Sequence, residues 1–207
     1  VASIKRFGSV VLKVTSVLAG LFALMAGAGA FSLKQMFAEA FSEADKIGKM
    51  SDEIGSTVDQ MFTLQHAAEI TGTTMDVMVK GLQRMNRRIG EAANGYGEAV
   101  KGIEALGMSM DDLLKKDAFG QFLTIAEAMK GMKTQAQKAA AVYTLFGRQG
   151  QMLLNTFELG EEGLKKMADE VKYLMGSFDR DEFRVFEEMN DNVVRLKMSM
   201  KGFVLGV

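Results

Sequence analysis

The apolar positions at the start of the chain follow a rule that the rest does not. Phe7, Val10, Val14, Val17, Leu21, Leu24, Ala28 and Phe31 recur in alternating steps of three and four. That is the seam of a helix packed along other helices. Val11, Leu18, Phe22 and Met25 make the neighbouring face apolar too, and no residue from Val14 to Leu33 is charged. A helix of that length spans about 30 Å, the thickness of a bilayer's hydrocarbon core. A helix apolar nearly all round belongs in an assembly or in lipid. Ala19, Ala23 and Gly27 share one ridge, where small side chains let helix backbones approach closely in either setting. The pattern predicts a helix over residues 3–50, with a break near Gly27. A secretory signal fits it loosely. Lys5 and Arg6 precede the apolar run and Ala26-Gly27-Ala28 offers a cleavage site, but Lys13 borders the run and the seam continues through Phe31.

After Ser42 the texture changes to short amphipathic segments, each opened by a cap and closed by a glycine. Thr57 with Gln60 has capping-box spacing and Gly72 is a stop. Thr73 with Asp76 opens a segment that runs to about Gly95; Gly97 to Leu106 is short, and Gly107 ends it. Ser109 with Asp112 opens a brief turn, Asp117 caps a helix from Ala118 to Met132, and Thr134 with Gln137 opens one that stops at Gly147. Helices are expected over Gln149–Leu159 and Glu161–Met175, and Asp179 or Asp181 caps a last one reaching Gly202. No stretch alternates with period two for long enough to make a sheet. The expected fold is all-α. Residues 1–42 form a long apolar helix, 43–180 an array of short antiparallel helices and 181–207 a long C-terminal helix, in a coiled-coil-like oligomer.

Composition sharpens this picture at a few points. Proline is absent and glycine occurs 22 times, which suits helix almost throughout. The 17 methionines read first as core filling, because a flexible thioether occupies irregular gaps. With no cysteine, disulfides, thiolate metal sites and cysteine nucleophiles are excluded. The formal charge is -1, so bulk charge points to no nucleic-acid partner. It is unevenly spread: Lys5, Arg6, Lys13 and Lys34 face only Glu39 within residues 1–42, a net +3 that leaves -4 for the remainder. A glycine inside a helix costs about 1 kcal/mol relative to alanine. Gly81, Gly90, Gly102, Gly120 and Gly131 fall in or near predicted helices, so the body is expected to unfold readily.

Candidate chemistry is sparse. His66 is the one histidine, which rules out metal sites built on several histidines; with Glu69 it shares a helix face, but a di-iron bundle needs more than one such pair. Its ordinary role is a half-buried polar residue at a helix contact. Gly95-Tyr96-Gly97 lacks the strand, third glycine and lysine of a phosphate loop. Asp179-Arg180-Asp181 starts like a calcium loop without its glycine and its final glutamate. Lys80, Arg84, Arg87 and Arg88 make a basic stripe on one helix; Glu91 at helical spacing and the lack of interleaved aromatics favour a solvated, salt-bridging face over sequence-specific nucleic-acid binding. No catalytic, cofactor or metal residues are assigned.

Five segments stand in a telling order: Ala44-Asp45-Lys46-Ile47-Gly48-Lys49-Met50-Ser51-Asp52, Leu64-Gln65-His66-Ala67-Ala68-Glu69, Gly81-Leu82-Gln83-Arg84-Met85-Asn86-Arg87-Arg88, Ala105-Leu106-Gly107, and Leu145-Phe146-Gly147-Arg148-Gln149-Gly150. In this order and spacing they resemble the helical region of tail tape measure proteins from long-tailed bacteriophages and prophages. The likeness covers about half the chain, and an apolar helix ahead of it is typical of such proteins. It implies a structural virion protein, not an enzyme, which sets tail tube length during assembly, occupies the tube lumen and leaves ahead of the genome. The implied partners are further copies of itself as a trimer or hexamer, the tail tube protein, tail tip or baseplate hub proteins, and a tail assembly chaperone. It implies residence in the virion tail, in the host cytoplasm during assembly, and contact with the host inner membrane on ejection. Length departs from the pattern: one unbroken helix of 207 residues reaches only about 310 Å, so the chain is expected to be a fragment of a longer protein or its ordered part. The competing expectation is a membrane-inserting helical protein, either a pore former or an anchored adaptor.

Overall fold

The computed structural model describes residues 33–177, with side chains from Ser42 onward, and beyond them Glu188, Asp191, Arg195 and Met198, which are helical and exposed. The seam from Phe7 to Phe31 and the ridge Ala19-Ala23-Gly27 lie outside the described residues, as do Asp179 and Asp181. The chain divides into two compact units, Lys49–Ser177 and one comprising Val1–Gly48 with Phe178–Val207. The described residues hold nine α-helices, one 3-10 helix and no strand. None of these helices is long and apolar enough to cross a membrane.

The helices are α1 (Leu33–Ile54), α2 (Val58–Thr71), α3 (Met75–Ala93), α4 (Ala99–Ala105), α5 (Met110–Leu114), α6 (Ala118–Lys130) and α7 (Gln135–Phe146), then a 3-10 helix (Arg148–Leu153), α8 (Leu154–Phe157) and α9 (Gly160–Met175). Their starts are fixed by local side-chain acceptors. At α2 the Thr57 hydroxyl accepts from Gln60 N at 3.2 Å while Gln60 Oε1 accepts from Thr57 N at 2.7 Å, a complete capping box. Ser109, Asp117 and Thr134 cap α5, α6 and α7 in the same manner, each accepting from the amide three residues on. Gln60 Nε2 also donates to Asp117 Oδ2 at 2.8 Å, which ties the start of α2 to the start of α6.

Several sequence-based boundaries move, and the helix expected to end at residue 50 runs on to Ile54. Thr74, not Thr73, caps α3, accepting from Val77 N at 3.3 Å. Gly72 ends α2 in the left-handed region, at φ 77°, and the Thr73 amide is used in closing that end onto Ala68 O at 2.9 Å. One more residue is then needed before the next helix can start. The helix expected over Gln149–Leu159 is a 3-10 helix followed by the single turn of α8. Helix α6 ends at Lys130, short of Met132.

Helix α3 is the centre of the Lys49–Ser177 unit. Its buried stripe Met78, Leu82, Met85, Ile89 and Ala92 recurs at helical spacing, and the helix touches α2, α4, α5, α6, α7 and the 3-10 helix. Beside it, Phe122, Phe146 and Phe157 pack with ring centroids 4.9–6.0 Å apart, contacts worth about 0.5–1.5 kcal/mol per pair beyond area burial. Met61, Met78, Met85 and Met129 are wholly buried, so these four methionines do fill the core. In the first turn of α9, hydrogen bonds from Lys165 and Lys166 hold the Glu161 and Glu162 carboxyls below the usual carboxylate range. Their small contribution is present above the unfolded pKa and is lost as pH falls through the lowered one.

The interior glycines are not uniformly weak points. A Cβ on Gly81 would stand 2.8 Å from Leu153 Cδ1, and one on Gly102 2.6 Å from Thr144 Cγ2. Leu153 is fully buried and cannot swing aside; Thr144 is stiff because it is β-branched. These two glycines are close-approach points between elements. Gly90 is exposed, with nothing within 4 Å of its would-be Cβ. Gly90→Ala should therefore stabilise the unit by about 0.5–1 kcal/mol. On the same helix, Gly81→Ala should destabilise it by about 1–3 kcal/mol through overpacking, despite the same gain in propensity. Urea denaturation of the full chain measures both; shifts of the same sign would show that α3 and the 3-10 helix are not this close.

Candidate functional site

Two of the five motif segments, Gly81–Arg88 and Leu145–Gly150, meet on one face of α3. Gly81 lies against Leu153 and Phe146. Three residues on, the exposed Arg84 side chain lies across Gly147, occupying the space into which a Cβ there would project. Gly147 sits at φ 71°, ψ -165°, a region essentially restricted to glycine, so both its backbone and the overlying guanidinium demand that residue. The Arg88 guanidinium donates from Nη1 to Tyr143 O at 2.7 Å and, by a short contact, to Thr144 O. These are carbonyls of the last turn of α7, where intrahelical donors run out; Tyr143 O also accepts from Gly147 N at 2.9 Å. Arg88 Nη2 also reaches Glu98 Oε2 at 3.3 Å.

The remaining motif residues fall around this junction. Asn86 Nδ2 donates to Ile54 O at 2.8 Å, capping the C-terminus of α1 from across the fold. Leu64, Met85, Leu145 and Phe146 are core residues. Gly150 is buried with Val142 Cγ1 2.9 Å from its would-be Cβ and Phe146 Cβ closer still, so the 3-10 helix can fold back onto α7 only with glycine there. Arg148 is exposed and Gln65 half-buried. His66 Nε2 stands 3.1 Å from Glu170 Oε2 and so bridges α2 to α9; Glu69 is exposed.

The basic stripe on α3 is divided among tasks. Lys80 pairs with Asp76 at 2.6 Å and Arg87 with Glu91 at 3.8 Å, both within the helix. Arg88, with its side chain 14% exposed, is spent on α7 and Glu98. What looked like one cationic strip is two intrahelical pairs and two guanidiniums laid on the turn after α7. Among the described residues no group of three His, Cys, Asp or Glu side chains could hold a metal ion.

Sequence reasoning missed a second feature, an open groove of about 680 Å³ between α4 and α7. Gly102 and Ala105 line it from α4, and Ala140, Ala141 and Thr144 from α7, with Met132 also on the wall. Lys101 and Tyr143 stand on its exposed margin. The signal was present as small residues at steps of three and four on two short neighbouring helices. Nothing local to either helix tells that they pair.

Comparison of the chain with protein-family models, with curated proteins and with solved structures finds no match.

Truncating Arg88 takes the charged donor away from the half-buried Thr144 O and from Tyr143 O, which keeps its bond from Gly147 N, at a cost of about 1–3 kcal/mol. Arg87→Ala removes only an exposed pair and should change stability by less than about 0.5 kcal/mol. Equal loss from Arg88→Ala and Arg87→Ala in urea titrations would show that Arg88 caps nothing.

Proposed function

We propose that the chain is a segment of a phage tail tape measure protein, a structural component that sets tail tube length during assembly and leaves the tube ahead of the genome. One observation carries the proposal. Two of the segments on which the resemblance rests stand far apart in sequence, yet Gly81 packs on Phe146, Arg84 lies across Gly147, and Arg88 reaches the carbonyls of Tyr143 and Thr144 just ahead of them. A set of motifs that builds one junction supports a shared piece of fold, where scattered matches would not. Several motif residues cap helix ends, fill the core or permit close approach, among them Asn86, Met85, Phe146, Gly81 and Gly150, which supports a structural role.

In this proposal the apolar stretch from Val14 to Leu33 packs against sister chains, as a trimer or hexamer, inside the tube. The tube protein, the tail tip or hub and an assembly chaperone are its further partners, and the host inner membrane is met only on release. In-frame deletions in the gene of the parent phage should shorten tails in proportion to the residues removed, by up to about 1.5 Å per residue for helical chain, as measured by electron microscopy of purified particles. Tails of unchanged length would overturn the ruler. Stable insertion of the purified full chain into liposomes, with no other tail component present, would favour a membrane-inserting protein in its place.

A further inference from the structure

We infer that Asn94 is a site of self-modification: its side-chain amide is lost as ammonia through ring closure onto the backbone nitrogen of Gly95, and the fold holds this reaction back until the last turn of α3 unwinds. Sequence and exposure pick out the place. Asn94 alone among the chain's asparagines precedes glycine; Asn86, Asn155, Asn190 and Asn192 precede Arg87, Thr156, Asp191 and Val193. Glycine has no side chain to screen its amide and lets the backbone approach another group closely. Residues 94–97 are all exposed, so water reaches both reacting groups.

The reaction needs only water. Gly95 N gives up its proton to solvent and attacks Asn94 Cγ. The N–Cγ bond forms, the Cγ–Nδ2 bond breaks, and the nitrogen leaves as ammonia with a proton from solvent. Water then opens the cyclic imide at either carbonyl, giving aspartate or isoaspartate. Nothing is oxidised or reduced.

Both reacting groups are engaged elsewhere in the folded chain. Gly95 N donates to Ala92 O at 2.9 Å, and Asn94 Nδ2 donates to Gly90 O at 2.8 Å. A planar five-membered ring needs Gly95 N nearly eclipsed with Asn94 Cβ, and with ψ at 11° it is turned well away. Closure therefore requires both bonds to break and the peptide plane to rotate, which unwinds the end of α3. Helix ends open locally at less cost than the whole unit.

The products do not refit. Aspartate cannot donate to Gly90 O, and it adds negative charge at the C-terminus of α3, where the macrodipole is already negative. Isoaspartate lengthens the main chain inside a reversal that Tyr96 N also closes, onto Glu91 O at 3.3 Å. That reversal leads into Glu98, which Arg88 holds at 3.3 Å, so modification loosens the start of α4 from α3. This inference does not depend on the tail proposal and stands or falls separately.

The test is to hold the full chain in warm, mildly alkaline buffer, with and without denaturing guanidinium, and then to digest it with trypsin. The peptide of residues 89–101 contains Asn94 as its one asparagine and no glutamine, so loss of ammonia from it reads this site alone. Mass spectrometry follows that loss, and an isoaspartyl methyltransferase labels the isoaspartate. The peptide should convert in denaturant ahead of those containing the other asparagines, and at least about tenfold more slowly in buffer. Gly90→Ala favours the helical last turn of α3 and should slow conversion in buffer about two- to fivefold, while leaving it unchanged in denaturant. No conversion in denaturant would overturn the site. Equal rates in buffer and denaturant, or a Gly90→Ala rate in buffer equal to that of the parent chain, would overturn the control by the end of α3.

Discussion

Everything in the Lys49–Ser177 unit depends on how closely α3 lies against the turn after α7. Gly81, Arg84 and Arg88 stand three and four residues apart and so share one face of α3. At one end of that face there is no room for a methyl group beside Leu153. In the middle a guanidinium covers Gly147, and at the far end a second one donates to the last carbonyls of α7. A shift of α3 by a fraction of an ångström away from the turn would weaken both arginine contacts together; a shift toward it would collide with a fully buried leucine. Cores have low compressibility because they are packed at crystal-like density. Here the polar and apolar contacts fix the same distance, which is why one helix can organise six neighbouring elements.

Local rules explain most of what could be read beforehand. An N-cap needs a short polar side chain three residues ahead of an amide, and Thr57, Ser109, Asp117 and Thr134 meet that need within their own segments. Helix ends were equally legible, since a chain without proline relies on glycine to turn, and Gly72, Gly107, Gly147 and Gly176 all have φ between 67° and 79°. Where two local signals compete, the reading slips. The amide of Thr73 is consumed by the end of α2, which passes the capping task to Thr74. Gly147 and Gly150 together hide a 3-10 helix in a stretch whose apolar pattern suits an α-helix, because the tight contact of Gly150 with Val142 and Phe146 is a tertiary demand.

What could not be read is the work done across long separations. Arg88 looked like a member of a cationic stripe because Arg87 and Lys80 beside it are one; its partners lie 55 and 56 residues away. The interior glycines looked like propensity defects for the same reason. Gly90 remains one, while Gly81 and Gly102 exchange helix propensity for proximity between elements. The groove was invisible at sequence level for a related reason: its floor is made of the residues least able to announce themselves, glycine and alanine, on two helices whose contact at Gly102 and Thr144 is a tertiary feature.

The junction and the groove are mechanically one object. Arg88 holds the last turn of α7 from the side of α3 and holds Glu98 ahead of α4. The two walls of the groove are therefore anchored to a helix that lies outside it. Exposed ion pairs contribute little and tolerate motion, but a guanidinium shared by two helix-end carbonyls and a carboxylate constrains three backbone segments at once. The two walls also touch each other directly where Thr144 lies against Gly102, so the seating of α3 and the contact between α4 and α7 are set together.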